Sequence, residues 1–175
     1  MAPLVNGAYG ITHRKTRPTV IHLRKMTEDE YLSYLATSLP NYAEEKMKGE
    51  GLSKEDALKV AQDSFARLLP LGIKTENQFL FSVIHNDSQK KIGTLWFAKK
   101  NEGAKSYAFI YDIILSAEVR GQGLGKELLS LTQGEIQKLG LNSMGLHVFG
   151  HNTVAINLYE KMGFRTTNRI MVKDF

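Results

Sequence analysis

Apolar positions along this chain change their spacing several times, and each change marks an element. Residues 19–23 (Thr-Val-Ile-His-Leu) are rich in β-branched side chains and predict a first strand. Thr27-Glu28-Asp29-Glu30 then has the Ser/Thr-x-x-Glu form of a capping box, which opens a helix. That helix carries Tyr31, Leu32, Tyr34 and Leu35; Pro40 is expected to interrupt it, with residues 42–48 resuming the pattern. Ser53 begins a second helix through Ala57, Leu58, Val60, Ala61, Phe65, Leu68 and Leu69, and Pro70 stops it.

The texture then turns to strands. Residues 79–84 and 92–98 read as a pair joined around the turn-forming cluster Asn86-Asp87-Ser88. Residues 107–115 (Tyr-Ala-Phe-Ile-Tyr-Asp-Ile-Ile-Leu) are nearly apolar throughout, as the middle of a sheet requires. Residues 122–139 predict a helix whose apolar face holds Leu124, Leu128, Leu129, Leu131, Ile136 and Leu139. A short strand at 146–149, a helix at 153–162 and a closing strand at 164–172 complete an order of β-α-α-β-β-β-α-β-α-β, a mixed α/β pattern. Residues 19–175 are expected to form one domain. Residues 1–18, with Gly7, Gly10 and Pro18 and no clear period, read as a loose leader.

Composition narrows the function classes. With 42% apolar and 23% charged residues in 175, the chain can bury a core of its own. No apolar run approaches the roughly 18–20 residues that span a bilayer, so no membrane partner is expected. The absence of cysteine removes disulfides, thiolate nucleophiles and Cys-based metal sites, and suits a cytoplasmic setting. The five histidines make no clear ligand pattern: His147 and His151 are four apart, but across a strand-to-turn junction, so no metal is expected. The net charge of +5 comes from Arg14, Lys15, Arg17, Arg24 and Lys25, all ahead of the first acidic residue, Glu28. The other 18 Lys and Arg match the 18 Asp and Glu, and a neutral body behind a basic arm argues against a nucleic-acid partner.

Arg120-Gly121-Gln122-Gly123-Leu124-Gly125-Lys126 stands between the strongest strand and the strongest helix. Three glycines allow close backbone approach and positive φ, and the helix start beyond them offers free N–H groups to a phosphate. Arg120 and Lys126 add positive charge at either end. A tight strand-to-helix turn is the alternative, but one glycine suffices for that. A P-loop is excluded by Arg120 in place of its first Gly and Glu127 in place of its Ser/Thr. The dinucleotide pattern Gly-x-Gly-x-x-Gly fails at Lys126.

What fits is Arg/Gln-x-x-Gly-x-Gly/Ala. With it goes a second segment, Asn152-x-x-Ala155-x-x-Leu158-Tyr159-x-x-x-Gly163-Phe164. On these two motifs, over about residues 20–175, the chain resembles the GNAT superfamily of acetyl-CoA-dependent N-acetyltransferases, and within it small bacterial members without a settled substrate. The resemblance implies a mostly antiparallel central sheet of six to seven strands with a splayed central pair, flanked by about four helices. It implies acetyl-CoA as co-substrate, an amine acceptor of a small molecule or protein, and a homodimer as an open option. The backbone of Ile113, Ile114 and Leu115 would meet the pantetheine arm, and residues 120–126 would cradle the pyrophosphate. Those loop residues are Arg120, Gly121, Gln122, Gly123, Leu124, Gly125 and Lys126, with Asn152 and Tyr159 as further contacts to the bound arm.

Tyr159 falls at the family's general-acid position; a phenol of pKa near ~10 is protonated at neutral pH and can pass its proton to a thiolate. As a pattern alone it is equally a packed aromatic beside Ala155, Leu158 and Met162. Asn152 can also cap its helix. For the general base His147 and Asp112 both stand open, Asp112 because a carboxylate within Ile110, Ile113 and Ile114 calls for a function or a partner, and water alone is a third option. His151 reads as a surface residue. Tyr31, Tyr34, Tyr42, Glu44 and Glu45 are candidates for acceptor recognition, the glutamates equally a solvated helix face, and Trp96 reads as core. The rival to an enzyme is a catalytically silent acyl-CoA-binding sensor, which would have little reason to keep Tyr159.

Overall fold

A computed structural model describes residues 19–175 apart from 104, 172 and 174. The expected leader, residues 1–18, lies outside the described residues. In chain order the elements are β1 (Ile21–Lys25), α1 (Glu28–Glu50), α2 (Lys54–Leu68), β2 (Gln78–His85), β3 (Lys91–Glu102), β4 (Lys105–Leu115), α3 (Leu124–Lys138), β5 (Met144–Leu146) and α4 (Thr153–Lys161). The strands form a sheet in the order β1-β2-β3-β4-β5, antiparallel up to β4 and parallel between β4 and β5. The α/β class therefore stands, with four α-helices and five strands among the described residues rather than six to seven.

Two differences have local causes. The short strand lies at Met144–Leu146, upstream of the expected 146–149, because its ladder with β4 ends at Ile110↔Leu146 and His147 has no strand beside it. Residues 164–171 take no strand conformation: Ile170 and Met171 are exposed, and the three-residue β5 presents a very short edge to pair with.

Helix α1 runs unbroken through Pro40. Proline costs the C=O of Ala36 its usual i+4 donor, but both ends are well fixed. Thr27 and Glu30 close the capping box, and Gly51 ends the helix in the left-handed conformation. Packing on either side of the proline, by Tyr31 and Tyr34 before it and Ala43 after it, outweighs the lost bond.

The sheet is covered on both faces. Leu80, Trp96 and Tyr111 pack beneath α1 and α2 with Tyr31, Tyr34 and Phe65. Phe81, Leu95, Phe97, Ala108 and Ile110 pack on the other face against Ile136 of α3, and Val83 and Ile113 meet Leu124 and Leu128. The first turn of α3 is also tied to β1: Glu127 Oε1 accepts from the backbone N–H of Val20 at 2.6 Å and of Ile21 at 3.0 Å. Glu127, out of place in a P-loop, thus anchors the edge strand.

Gly93 is where the sheet is tightest. A Cβ there would run into the backbone oxygen of Ile114 and approach Leu115 Cδ2 at 3.1 Å and Val83 Cβ at 3.3 Å. Gly93→Ala should cost about 2 kcal/mol in urea unfolding, because the clashing atom belongs to strand backbone rather than to a side-chain tip. Unchanged stability would mean that β3 and β4 part there freely.

Candidate active site

Residues 107–115 do not alternate evenly. In the β3–β4 register Phe97 faces Ile110 and Trp96 faces Asp112, so Tyr111 is an extra residue in a bulge. Ile110 points toward α3, as Phe97 does. Past the bulge the phase slips, and both Tyr111 and Asp112 lie on the α1/α2 face, Tyr111 stacked on Trp96 with ring centroids 4.6 Å apart. Without that slip the carboxylate would enter the apolar core beneath α3.

The same stretch marks where the sheet opens. β4 and β5 pair through Ala108↔Met144, Phe109↔Gly145 and Ile110↔Leu146, and the ladder then stops. Tyr111–Leu115 is left with an edge that no described strand covers. This is the splay expected between the central strands, and Ile114, 41% exposed, presents its side chain there. Beyond Leu115 a short 3₁₀ turn leads into the glycine loop, and Arg120 Nε donates to the Leu115 carbonyl at 2.9 Å, fixing the loop to the strand end.

Within the loop the three glycines divide their work. Gly121 (φ 77°) and Gly123 (φ 82°) occupy the left-handed region, with nothing within 4 Å of where a Cβ would stand. Gly125 has ordinary helical geometry, and its lack of a side chain lets α3 meet α4, since a Cβ would touch Leu158 Cδ2 at 2.9 Å. Leu124 is buried in the core, so only its backbone faces outward chemistry. Gln122 donates to the Glu118 carbonyl at 3.2 Å, and Lys126 is exposed. Side chains cap α1, α2 and α4 through Thr27, Ser53 and Asn152, but none caps α3 at Gly123. The Lys126 N–H donates to the Gly123 carbonyl at 3.2 Å, which leaves the N–H groups of Leu124 and Gly125 ahead of it available to an anion.

Asp112 is the most perturbed acid described. Loss of water around it lifts the carboxyl from 3.8 to about 6, against the opposing pull of the Tyr34 hydroxyl and the Ile113 backbone N–H. The Tyr34 O–H donates to Asp112 Oδ2 at 2.9 Å. Tyr159, on α4, is partly buried against Phe164 with ring centroids 5.5 Å apart. Burial raises its phenol, and the negative charge of Asp112 raises it further. Asn152 caps α4 by accepting from Ala155 N–H at 3.1 Å.

His147 directly follows Leu146, the last β5 residue paired with β4. It is exposed just past the end of β5, its ring edge-on to Phe149 at 5.0 Å. His151 is a surface residue whose Nε2 comes within 3.3 Å of Glu45 Oε2. Glu44 pairs with Lys48 on its own helix at 2.8 Å, while Tyr31, Tyr34 and Trp96 are core. The partnership of Tyr34 with Asp112 was not foreseeable from spacing, because two tyrosines three apart read simply as one buried face. Gly93 carried a usable signal: a glycine inside Ile-Gly-Thr of a strand marks close backbone approach.

Among the described residues no group of three or more His, Asp or Glu could hold a metal ion, and no helix is long and apolar enough to cross a membrane. A profile of the acetyltransferase (GNAT) family matches residues 59–164. An uncharacterized N-acetyltransferase of Bacillus subtilis (strain 168), YycN, is 37% identical over 87% of this chain and 97% of its own length. A second from the same strain, YdgE, is 30% identical over 87% of this chain and 96% of its own. The crystal structure of YycN superposes with a TM-score of 0.82, covering 89% of this chain and 98% of that one.

Proposed function

Because this chain belongs to the acetyltransferase (GNAT) family and is an acyltransferase, we propose that it moves the acetyl group of acetyl-CoA directly to a primary amine of a small molecule or protein, in a ternary complex. The observation that carries the finer reading is the largely buried Asp112 carboxylate, held by the Tyr34 hydroxyl where β4 loses its neighbour, on the strand that leads through one short turn to the uncapped start of α3.

The residues divide the chemistry as follows. Backbone N–H groups from Gly123 onward, with Arg120 and Lys126, suit the pyrophosphate. The open edge of Ile113, Ile114 and Leu115 suits the pantetheine amides, and a backbone N–H freed at the splay would stabilise the oxyanion. Asp112, largely buried and held by Tyr34 where His147 is exposed, accepts the proton of the attacking amine, directly or through one water. The amine nitrogen bonds to the thioester carbon, the C–S bond breaks, and the departing thiolate takes the Tyr159 proton. With Asp112 titrating at about 6 and Tyr159 raised above its usual 10, base and acid both hold the required protonation state near pH 7.5. Activity should rise with pH through Asp112's titration.

Calorimetric titration with acetyl-CoA, then an amine panel read as released thiol, tests the reading; the chain has no cysteine to blur the signal. Micromolar binding with turnover is the expected result, and absence of binding would overturn it. Tyr159→Phe should bind acetyl-CoA within twofold of the parent and lose about a hundredfold in turnover. Undiminished turnover would return the acid role to water.

A further inference from the structure

We propose that Tyr34 is a positioning residue for the base: its hydroxyl, reaching from α1 to Asp112 Oδ2, fixes that carboxylate at the splay and favours its ionised form. The inference rests on Asp112 being the base. It concerns what makes a carboxylate on this face usable at neutral pH.

The geometry is specific. The bulge at Tyr111 turns Asp112 onto the α1 face, where it stands opposite Trp96 on β3. The groups around it are Tyr34 from α1, Tyr159 from α4 and the Ile113 N–H on its own strand, so no cation among the described neighbours balances its charge. Lys91 and Arg120 line the cleft of about 270 Å³ that Tyr34 borders with Thr94 and Ile114, and Asp112 is not part of that lining. Tyr34 is 4% exposed, and Phe65 lies against its ring at 6.3 Å. A phenylalanine would fill that space equally well, so packing does not explain the oxygen. The hydroxyl is a donor that an ionised carboxylate accepts more strongly than a protonated one. Burial and the adjoining carboxylate both push the Tyr34 phenol well above its ordinary range, so it stays a donor at every working pH.

The test is a carbon-13 NMR titration of the Asp112 carboxyl in ligand-free protein, parent against Tyr34→Phe. The parent should titrate near 6, and the variant about one unit higher. An unmoved or lowered midpoint overturns the proposal. Should Tyr34→Phe fail to fold, 3-fluorotyrosine placed at position 34 keeps the ring and strengthens the donor; the midpoint must then fall, and a midpoint that stays put overturns the proposal. Turnover of Asp112→Asn separates this inference from the reading beneath it. A moved midpoint with an inactive Asp112→Asn supports both. An unmoved midpoint with an inactive Asp112→Asn removes Tyr34 and leaves the base. Full turnover in Asp112→Asn removes the base, and the positioning role falls with it.

Discussion

Asp112→Asn will lose at least about a hundredfold in turnover and, at pH 8, will be the more stable protein. Both effects come from one cause. A carboxyl whose folded pKa is raised from 3.8 to about 6 binds its proton more tightly in the native state than in the unfolded chain. Its stabilising share is complete below about pH 4 and is lost as pH rises through 6. Above pH 7 the ionised group therefore costs the native state up to about 3 kcal/mol. Asparagine keeps a carbonyl oxygen to accept from Tyr34 and carries no charge to desolvate. The gap in melting temperature between variant and parent should thus be small at pH 4.5 and open toward pH 8. Equal gaps at both values would show that the carboxyl is not shifted, and full turnover would move the base to His147 or to water.

Gly123→Asp should weaken acetyl-CoA binding by a hundredfold or more while leaving unfolding within about 1 kcal/mol of the parent. Position 123 is left-handed (φ 82°), a conformation that aspartate tolerates better than most residues. Nothing lies within 4 Å of its Cβ, so the side chain has room. The damage is electrostatic: a carboxylate set at the uncapped start of α3 occupies the positive end of the helix and repels a diphosphate. Gly123→Ala separates the two contributions, since it brings the strain without the charge and should retain most of the affinity. Calorimetry on both variants decides the matter, and unchanged affinity in Gly123→Asp would sink the assignment of this loop.

What was legible in the sequence was what is local. The capping box at Thr27–Glu30, the Asn152 cap and the glycine loop each depend on residues within a few positions of one another, and the structure holds all three. Pro40 misled because the cost of one missing N–H is local, whereas the packing that offsets it comes from α2 and the sheet. The bulge at Tyr111 was out of reach, since it exists only in the pairing of β4 with Trp96 and Phe97. Asp112 stood out as an anomaly in an apolar run, but its partner is 78 residues away on another element. The strand expected at 164–172 had a suitable composition, and composition does not supply an edge to pair with.

The bulge has one practical consequence. Trp96, the single tryptophan, stands across from Asp112 in the ladder, stacks on Tyr111 and is held by a hydrogen bond to Gln78 Oε1 at 2.7 Å. Its indole is a built-in optical reporter one strand from the carboxylate. A change of charge at position 112 alters the electric field on a rigid chromophore that no second tryptophan obscures, so the emission of the unlabelled protein should follow the protonation of Asp112 in real time.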